Sequence, residues 1–255
     1  MYMRFVQMKV DPERTPELHD FYKGTVIPSL HSVQGCMFAS LIQSHDHPDE
    51  CVSMTLWDSQ ANADMYGSSA LYRGLIENIK PYLADSTEWK IQLSKDLTLE
   101  TVPVVEEPVV KSYVIDEFKD GTTGASMRDR SQLYVRIVAL KIHPGKIDEF
   151  RKIYAEEVMP ALRTVTGCRY AFQTEGATDK DEVLSVTLWD SEHDASAYEA
   201  SGMVEHFGKK LEQTFSGLYQ WKLDLEQGLG REIITSDDVK VKHYQVVTGE
   251  TFKGL

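Results

Sequence analysis

The chain has 255 residues, of which 42% are hydrophobic and 26% charged, and it carries a formal net charge of −13. This is the composition of a globular protein long enough for two ordinary domains. The acidic balance excludes a nucleic-acid surface, which needs cations to neutralise phosphates, and disfavours docking on anionic membranes. No apolar run approaches a membrane-spanning length. The three cysteines, Cys36, Cys51 and Cys168, show neither Cys-x-x-Cys spacing nor a neighbouring histidine cluster. They read as free, buried thiols of a cytoplasmic chain and not as zinc ligands.

The N-terminal segment alternates in period two, so that Arg4, Val6, Met8 and Val10 share one face of a predicted strand. It lacks the continuous apolar core of a signal peptide. Pro12 stops the strand, and Thr15-Pro16-Glu17 reads as the capped start of a helix. Leu18, Phe21, Tyr22, Val26, Leu30 and Val33 follow at helical spacing; Pro28 should bend this helix and Gly35 should end it. Two strands, near Cys36–Gln43 and Cys51–Trp57, flank the polar turn Ser44–Glu50, whose His45 and His47 read as turn residues in preference to metal ligands. Ser59-x-x-Asn62 caps a second helical stretch reaching about Leu83, and Trp89–Leu93 reads as a last strand.

The same order then recurs. Residues 134–226 align with residues 2–94 at a constant offset of 132, without a gap and with 28 identities in 93 positions. The clearest repeat is Ser53-Met54-Thr55-Leu56-Trp57-Asp58-Ser59 against Ser185-Val186-Thr187-Leu188-Trp189-Asp190-Ser191. Arg4/Arg136, Pro28/Pro160, Gly35/Gly167, Cys36/Cys168, Tyr66/Tyr198 and Ser69/Ser201 also match. A repeat this long is a domain duplication and not a solenoid, whose units run about 20–50 residues. We read residues 1–94 and 132–226 as two β-α-β-β-α-β, ferredoxin-like units. Residues 95–131 form a linker with an extra strand near 110–115, containing the flexible stretch 120–126. Residues 227–255 form a tail with a matching strand near 240–247; Lys111–Ile115 and Lys242–Val246 echo each other. Each such unit leaves one sheet face bare, so the two should pack sheet to sheet as an α+β intramolecular pseudo-dimer, an α/β barrel, with scope for further self-association.

These residues resemble the antibiotic biosynthesis monooxygenase family of dimeric α/β-barrel proteins. The resemblance rests on the late helical Pro, the Gly-Cys opening the second strand, the strand-end Trp-Asp-Ser, and Tyr66-x-x-Ser69 with Tyr198-x-x-Ser201. It covers most of both units. It implies small-molecule chemistry of a mixed kind: cofactor-independent oxygenation of phenolic polycycles, quinol oxidation, isomerisation of signalling molecules, or haem breakdown. Family members often carry His where this chain has Tyr66 and Tyr198, which removes a base titrating near neutral pH. The haem-degrading pattern falls on Val6/Val138, Tyr66/Tyr198 and Ile76/Gly208 and is not matched; His206 lies two residues from its ligand position. Haem therefore stands as an alternative to a cofactor-free site.

The candidate site follows. Arg4 and Arg136 either run their stems to the sheet edge or present a guanidinium to an anionic or enolate oxygen. Tyr66 and Tyr198 orient a phenol or carbonyl, or pack with a solvated hydroxyl. Trp57 and Trp189 either wall a pocket for a flat aromatic or apolar ligand or fill the core beneath the helix. Ser69, Ser201 and His206 complete the binding set. The second cleft, with Arg169, Tyr170 and His206, has the richer side chains. The leading function is a cofactor-independent monooxygenase acting on a phenolic, quinol or enolisable substrate. The rival is a non-catalytic binding or assembly module on the same barrel.

Overall fold

The computed structural model describes residues 1–84, 89–93, 99–103, 109–120, 133–216 and 239–252. Period-two alternation produces the first strand as expected. In β1 (Tyr2–Lys9), Met3 and Phe5 point to one face, and Arg4, Val6 and Met8 to the other. A 3-10 turn at Pro12–Arg14 leads into α1 (Thr15–Phe21). The cap differs from expectation: Asp11 accepts the Glu13 N–H, while Thr15 is already helical and its hydroxyl donates back to the Asp11 carbonyl.

Between α1 and α2 (Ile27–His31) the backbone widens into a π-turn over Tyr22–Val26, where the Ile27 N–H donates to the Tyr22 carbonyl five residues back. Pro28 lacks an N–H, so the ladder upstream of it must be rearranged, and the wide turn is the result. The second half repeats this with α5 (Ile147–Ile153), a π-turn at Tyr154–Val158 and α6 (Met159–Leu162), beside Pro160. Gly35 and Gly167 follow at φ +81 and +79. A Cβ at Gly35 would lie 2.4 Å from the Asn62 side chain, and one at Gly167 2.4 Å from Asp194, so only glycine fits against the next helix cap.

The first unit continues with β2 (Cys36–Ser44), β3 (Glu50–Trp57), α3 (Gln60–Gly67) and α4 (Ala70–Ile79). A ribbon follows, β4 (Trp89–Leu93) and β5 (Leu99–Pro103), and then β6 (Val109–Asp120). The second unit supplies β7 (Tyr134–Lys141), β8 (Cys168–Gly176), β9 (Glu182–Trp189), α7 (Glu192–Ala200), α8 (Met203–Leu211) and β10 (Val239–Thr251). Ser59 and Ser191 cap α3 and α7 as the sequence predicts.

Eight antiparallel strands close a barrel in the order β1-β3-β2-β10-β7-β9-β8-β6. The two ferredoxin-like units pack sheet to sheet within it. Met3, Phe5, Phe38, Val52 and Met54 from the first unit meet Val135, Tyr170, Phe172, Val186 and Leu188 from the second in one interior core. Burial of apolar side chains on this scale, roughly 1.5–3 kcal/mol each, is what joins the halves.

The fourth strand of the first sheet departs from expectation. Among the described residues, Trp89–Leu93 pairs only with Leu99–Pro103, in a ribbon separate from the barrel. The sheet position next to β1 belongs to β6, which pairs with β1 on one edge and with β8 of the other unit on its second edge. β10 bridges β7 and β2 in the same way. Each bridging strand carries an irregularity within its ladder to the other unit, between Ile115 and Glu117 against β8 and between Val246 and Thr248 against β2. The predicted strand at 221–225 lies outside the described residues; of the predicted flexible stretch 120–126, Asp120 ends β6 and the rest lies outside them.

Candidate functional site

The outer face of each sheet carries the duplicated Ser-x-Thr-x-Trp sequence, and alternation aims all three side chains at the helices. Trp57 and Trp189 are both 0% exposed. Each indole N–H donates to the preceding Thr hydroxyl at 2.9 Å, Trp57 to Thr55 and Trp189 to Thr187. Each Thr hydroxyl in turn donates to the carbonyl of the neighbouring arginine, Thr55 to Arg4 and Thr187 to Arg136, at 3.4 Å. The serines hold the π-turn tyrosines: Tyr22 Oη lies 2.8 Å from Ser53 Oγ, and Tyr154 Oη 2.6 Å from Ser185 Oγ. The motif thus braces the arginine strand against the helix above it.

Tyr66 and Tyr198 stack on these indoles at 5.1 Å in both halves. Burial raises the pKa of both phenols, opposed by the nearby Arg4 or Arg136 charge. They are therefore protonated hydrogen-bond donors at neutral pH and not bases. Ser69 caps α4, its Oγ accepting the Tyr72 N–H at 3.0 Å. Ser201 donates to the Tyr198 carbonyl at 2.6 Å. His206 lies on the exposed face of α8, its ring edge-on to Phe207 at 5.4 Å.

In the first half a cavity of about 20 Å³ lies between β1, β3 and the helices. Arg4, Ser53, Thr55, Tyr66 and Tyr72 form its polar side, and apolar residues including Val6, Leu75 and Ile79 its remainder. That volume holds about one water molecule. Arg4 is 7% exposed, and its guanidinium carbon lies 4.3 Å from the Tyr72 ring centre and 5.6 Å from that of Tyr66. Among the described residues this guanidinium has no carboxylate or hydrogen-bond acceptor, only ring faces. Such contacts are attractive but do not satisfy five N–H donors.

The second half differs around its arginine at two positions, and in the apolar lining at Met8/Leu140, Leu75/Phe207, Ile76/Gly208 and Ile79/Leu211. Where the first has Gly67 and Tyr72, the second has Glu199 and Val204. Arg136, 6% exposed, bonds through Nε to Glu199 Oε1 at 2.6 Å, and its carbon is 6.0 Å from the Tyr198 ring. The side chains that made this cleft look richer in the sequence point elsewhere. Tyr170 lines the barrel interior, Arg169 pairs with Asp190 at 2.6 Å, and His206 faces outward. Gly67 and Glu199 are candidate functional positions that repeat identities do not reveal; the signal for them in the sequence is that they fail to match.

The structure thus brings Arg4 and Tyr66 to a cavity and leaves Trp57 out of its lining, buried behind Tyr66. A haem does not fit this lining, which contains no histidine and encloses far too little space. In the hairpin turn, His45 lies 3.6 Å from both Asp46 and Glu192, tying the turn to the second unit. Among the described residues no cluster of His, Cys, Asp and Glu is arranged to hold a metal ion, and no helix is long and apolar enough to cross a membrane.

A family model described as antibiotic biosynthesis monooxygenase matches residues 1–78 and again 133–210. No curated protein matches the sequence significantly. Among solved structures, a candidate monooxygenase from Fusobacterium nucleatum superposes with a TM-score of 0.69 at 8% identity, over 100% of this chain and 95% of its own. One from Lactobacillus acidophilus gives 0.66 at 7% identity, over 100% and 97%. An anthrone oxidase-like protein gives 0.59 at 12% identity, over 99% and 94%. At these identities the likeness establishes the fold.

Proposed function

The chain belongs to the antibiotic biosynthesis monooxygenase family, carrying its domain twice, and from that premise we propose that the first-half cleft is an oxygenase site for a small phenolic, quinol or enolisable aromatic. The observation that carries this reading is the Arg4 guanidinium, buried at a cavity and facing only aromatic rings. A buried cation without a counter-charge is costly, and an anionic oxygen of a bound ligand removes the cost.

The chemistry follows from what the cleft holds. Tyr66 stays protonated and donates; it cannot take a proton near neutral pH. Ionisation of the substrate is therefore driven by Arg4, which lowers the pKa of a phenol or enol beside it, the proton leaving to water. The electron-rich anion passes one electron to O2, and the resulting radical pair combines to a C–O–O bond. Loss of water then leaves a carbonyl: one oxygen atom stays in the product, and the other leaves with the two hydrogens given up by the substrate. The apolar remainder of the lining keeps bulk water from the radical pair. A multi-ring substrate needs more than the present volume, so α4, which begins after Ser69, has to move outward to admit it.

The same small volume favours one rival, a barrel that binds no substrate and serves assembly only. Oxygen consumption with an anthrone and a naphthohydroquinone separates the two. Turnover above the buffer rate, falling by about 10- to 100-fold in Arg4→Met as one charge-assisted hydrogen bond is lost, supports the oxygenase. Rates equal to buffer for both compounds would sink it.

A further inference from the structure

We infer that the second-half cleft is the same anion site, closed by its own carboxylate, and that Glu199 marks the place and the charge of the ligand that the first half takes from solution. The inference rests on reading the first cleft as a binding site and adds to it the ligand class, a monoanionic oxygen such as a phenolate or carboxylate, and a stoichiometry of one per chain.

The two halves form an internal comparison. Their frames agree in detail: both indoles bond to Thr at 2.9 Å, and both tyrosines stack on the indoles at 5.1 Å. Against that common frame the surroundings of the arginine differ. In the second half a carboxylate oxygen lies 2.6 Å from Arg136 Nε. In the first half the residue at that repeat position is Gly67, and a Cβ built there would lie 3.8 Å from Arg4 Nη2. That is ordinary van der Waals distance, so a Cβ at position 67 starts a side chain beside the guanidinium without a clash. With glycine at position 67, no side chain covers that approach to the guanidinium.

The second exchange is complementary. Tyr72 lays its ring 4.3 Å from the Arg4 carbon, whereas the equivalent Val204 cannot. With no carboxylate at position 67, the arginine is held by a π-face, which keeps it in place but leaves its in-plane N–H groups to a ligand. With Glu199 present, no ring is needed. Arg4 is thus positioned to receive an oxyanion, and Arg136 already holds one.

The test is binding, not turnover. Equilibrium dialysis is run with 4-nitrophenolate as the anionic probe and 4-nitroanisole as its neutral counterpart, on the full-length chain and on Gly67→Glu, Glu199→Gly and the double exchange. Wild type should bind one equivalent of the anion in preference to the neutral probe. Gly67→Glu should weaken that binding by about tenfold or more, the scale of one charge-assisted contact, while raising Tm as Arg4 gains a partner. Glu199→Gly should bind a second equivalent, and the double exchange one equivalent, now sensitive to Arg136→Met and not to Arg4→Met. Unchanged binding in a folded Gly67→Glu, or a single equivalent in a folded Glu199→Gly, would overturn the inference, as would no binding by any variant. If the binding pattern holds while no substrate consumes O2, the oxygenase reading fails and the closed-site inference stands.

Discussion

Replacing Thr55 by Val tests whether the repeated motif is a brace. Val matches Thr in shape but has no hydroxyl, so the buried Trp57 N–H, now 2.9 Å from Oγ1, loses its acceptor. Trp57 is fully buried, and water cannot reach the N–H in compensation. An orphaned buried donor costs about 1–3 kcal/mol. The weaker 3.4 Å donation from Thr55 to the Arg4 carbonyl is lost as well. In a chain of this size each kcal/mol lowers Tm by about 2–4 °C, so Thr55→Val should melt roughly 2–12 °C below wild type. The decisive arm is the same change made in Trp57→Phe, which has no N–H to orphan. There Thr55→Val should cost no more than about 0.5 kcal/mol. Urea unfolding followed by far-UV circular dichroism measures both, since the substitutions alter tryptophan fluorescence itself. Thr187 and Trp189 provide a replicate in the same molecule. Equal cost of Thr55→Val in both backgrounds would refute the hydrogen bond as the motif's purpose.

The two arginines should respond oppositely to removal. Arg4→Met removes a buried charge that has no acidic partner among the described residues and should leave stability at or above wild type, whereas Arg136→Met removes a partly exposed ion pair with Glu199 and should unfold at lower urea, by up to about 1 kcal/mol. Alkaline titration should show burial directly. Desolvation raises the pKa of Tyr22, Tyr66, Tyr154 and Tyr244 in the fold, and that of Tyr134 to about 12. The folded chain then keeps protons that the unfolded chain loses near pH 10, so this stabilisation is full below about pH 10 and declines as pH rises above it. Absorbance at 295 nm should show these five phenols ionising together with unfolding; ionisation of all twelve tyrosines before the fold is lost would contradict the packing. All three thiols are buried, and burial pushes Cys51 up to about 12. None should react with Ellman's reagent at mildly alkaline pH until denaturant is added, and rapid labelling of Cys51 would contradict its placement.

Much of this architecture could be read from the repeat. A constant offset with paired Pro, Gly and Trp positions specifies two like units, and period-two alternation assigns Arg4 to the helix side and Met3 to the barrel interior. Alternation does not say which strand a segment joins. Trp89–Leu93 and Val109–Asp120 are both strands, yet only the second bridges the units. The clue was the echo between Lys111–Ile115 and Lys242–Val246. The site was legible in its matched residues and obscure in its unmatched ones. Identities locate what both halves need for folding, such as Trp57 and Thr55. The residues that set the two arginines apart, Gly67/Glu199 and Tyr72/Val204, stand out only once Arg4 and Arg136 are seen in space.

The bridging strands β6 and β10 have a consequence for how such a protein diverges. A barrel closed by two identical chains obliges every substitution to appear on both sides of its axis, so an acidic residue that shuts one cleft shuts the other. Here each half still relies on the other for an edge of its sheet, but the halves are consecutive stretches of one chain. Covalent continuity separates the two sequences while keeping their mutual support. One half is free to spend its arginine on an internal ion pair, and the other retains a vacant cation, within a scaffold neither could complete alone.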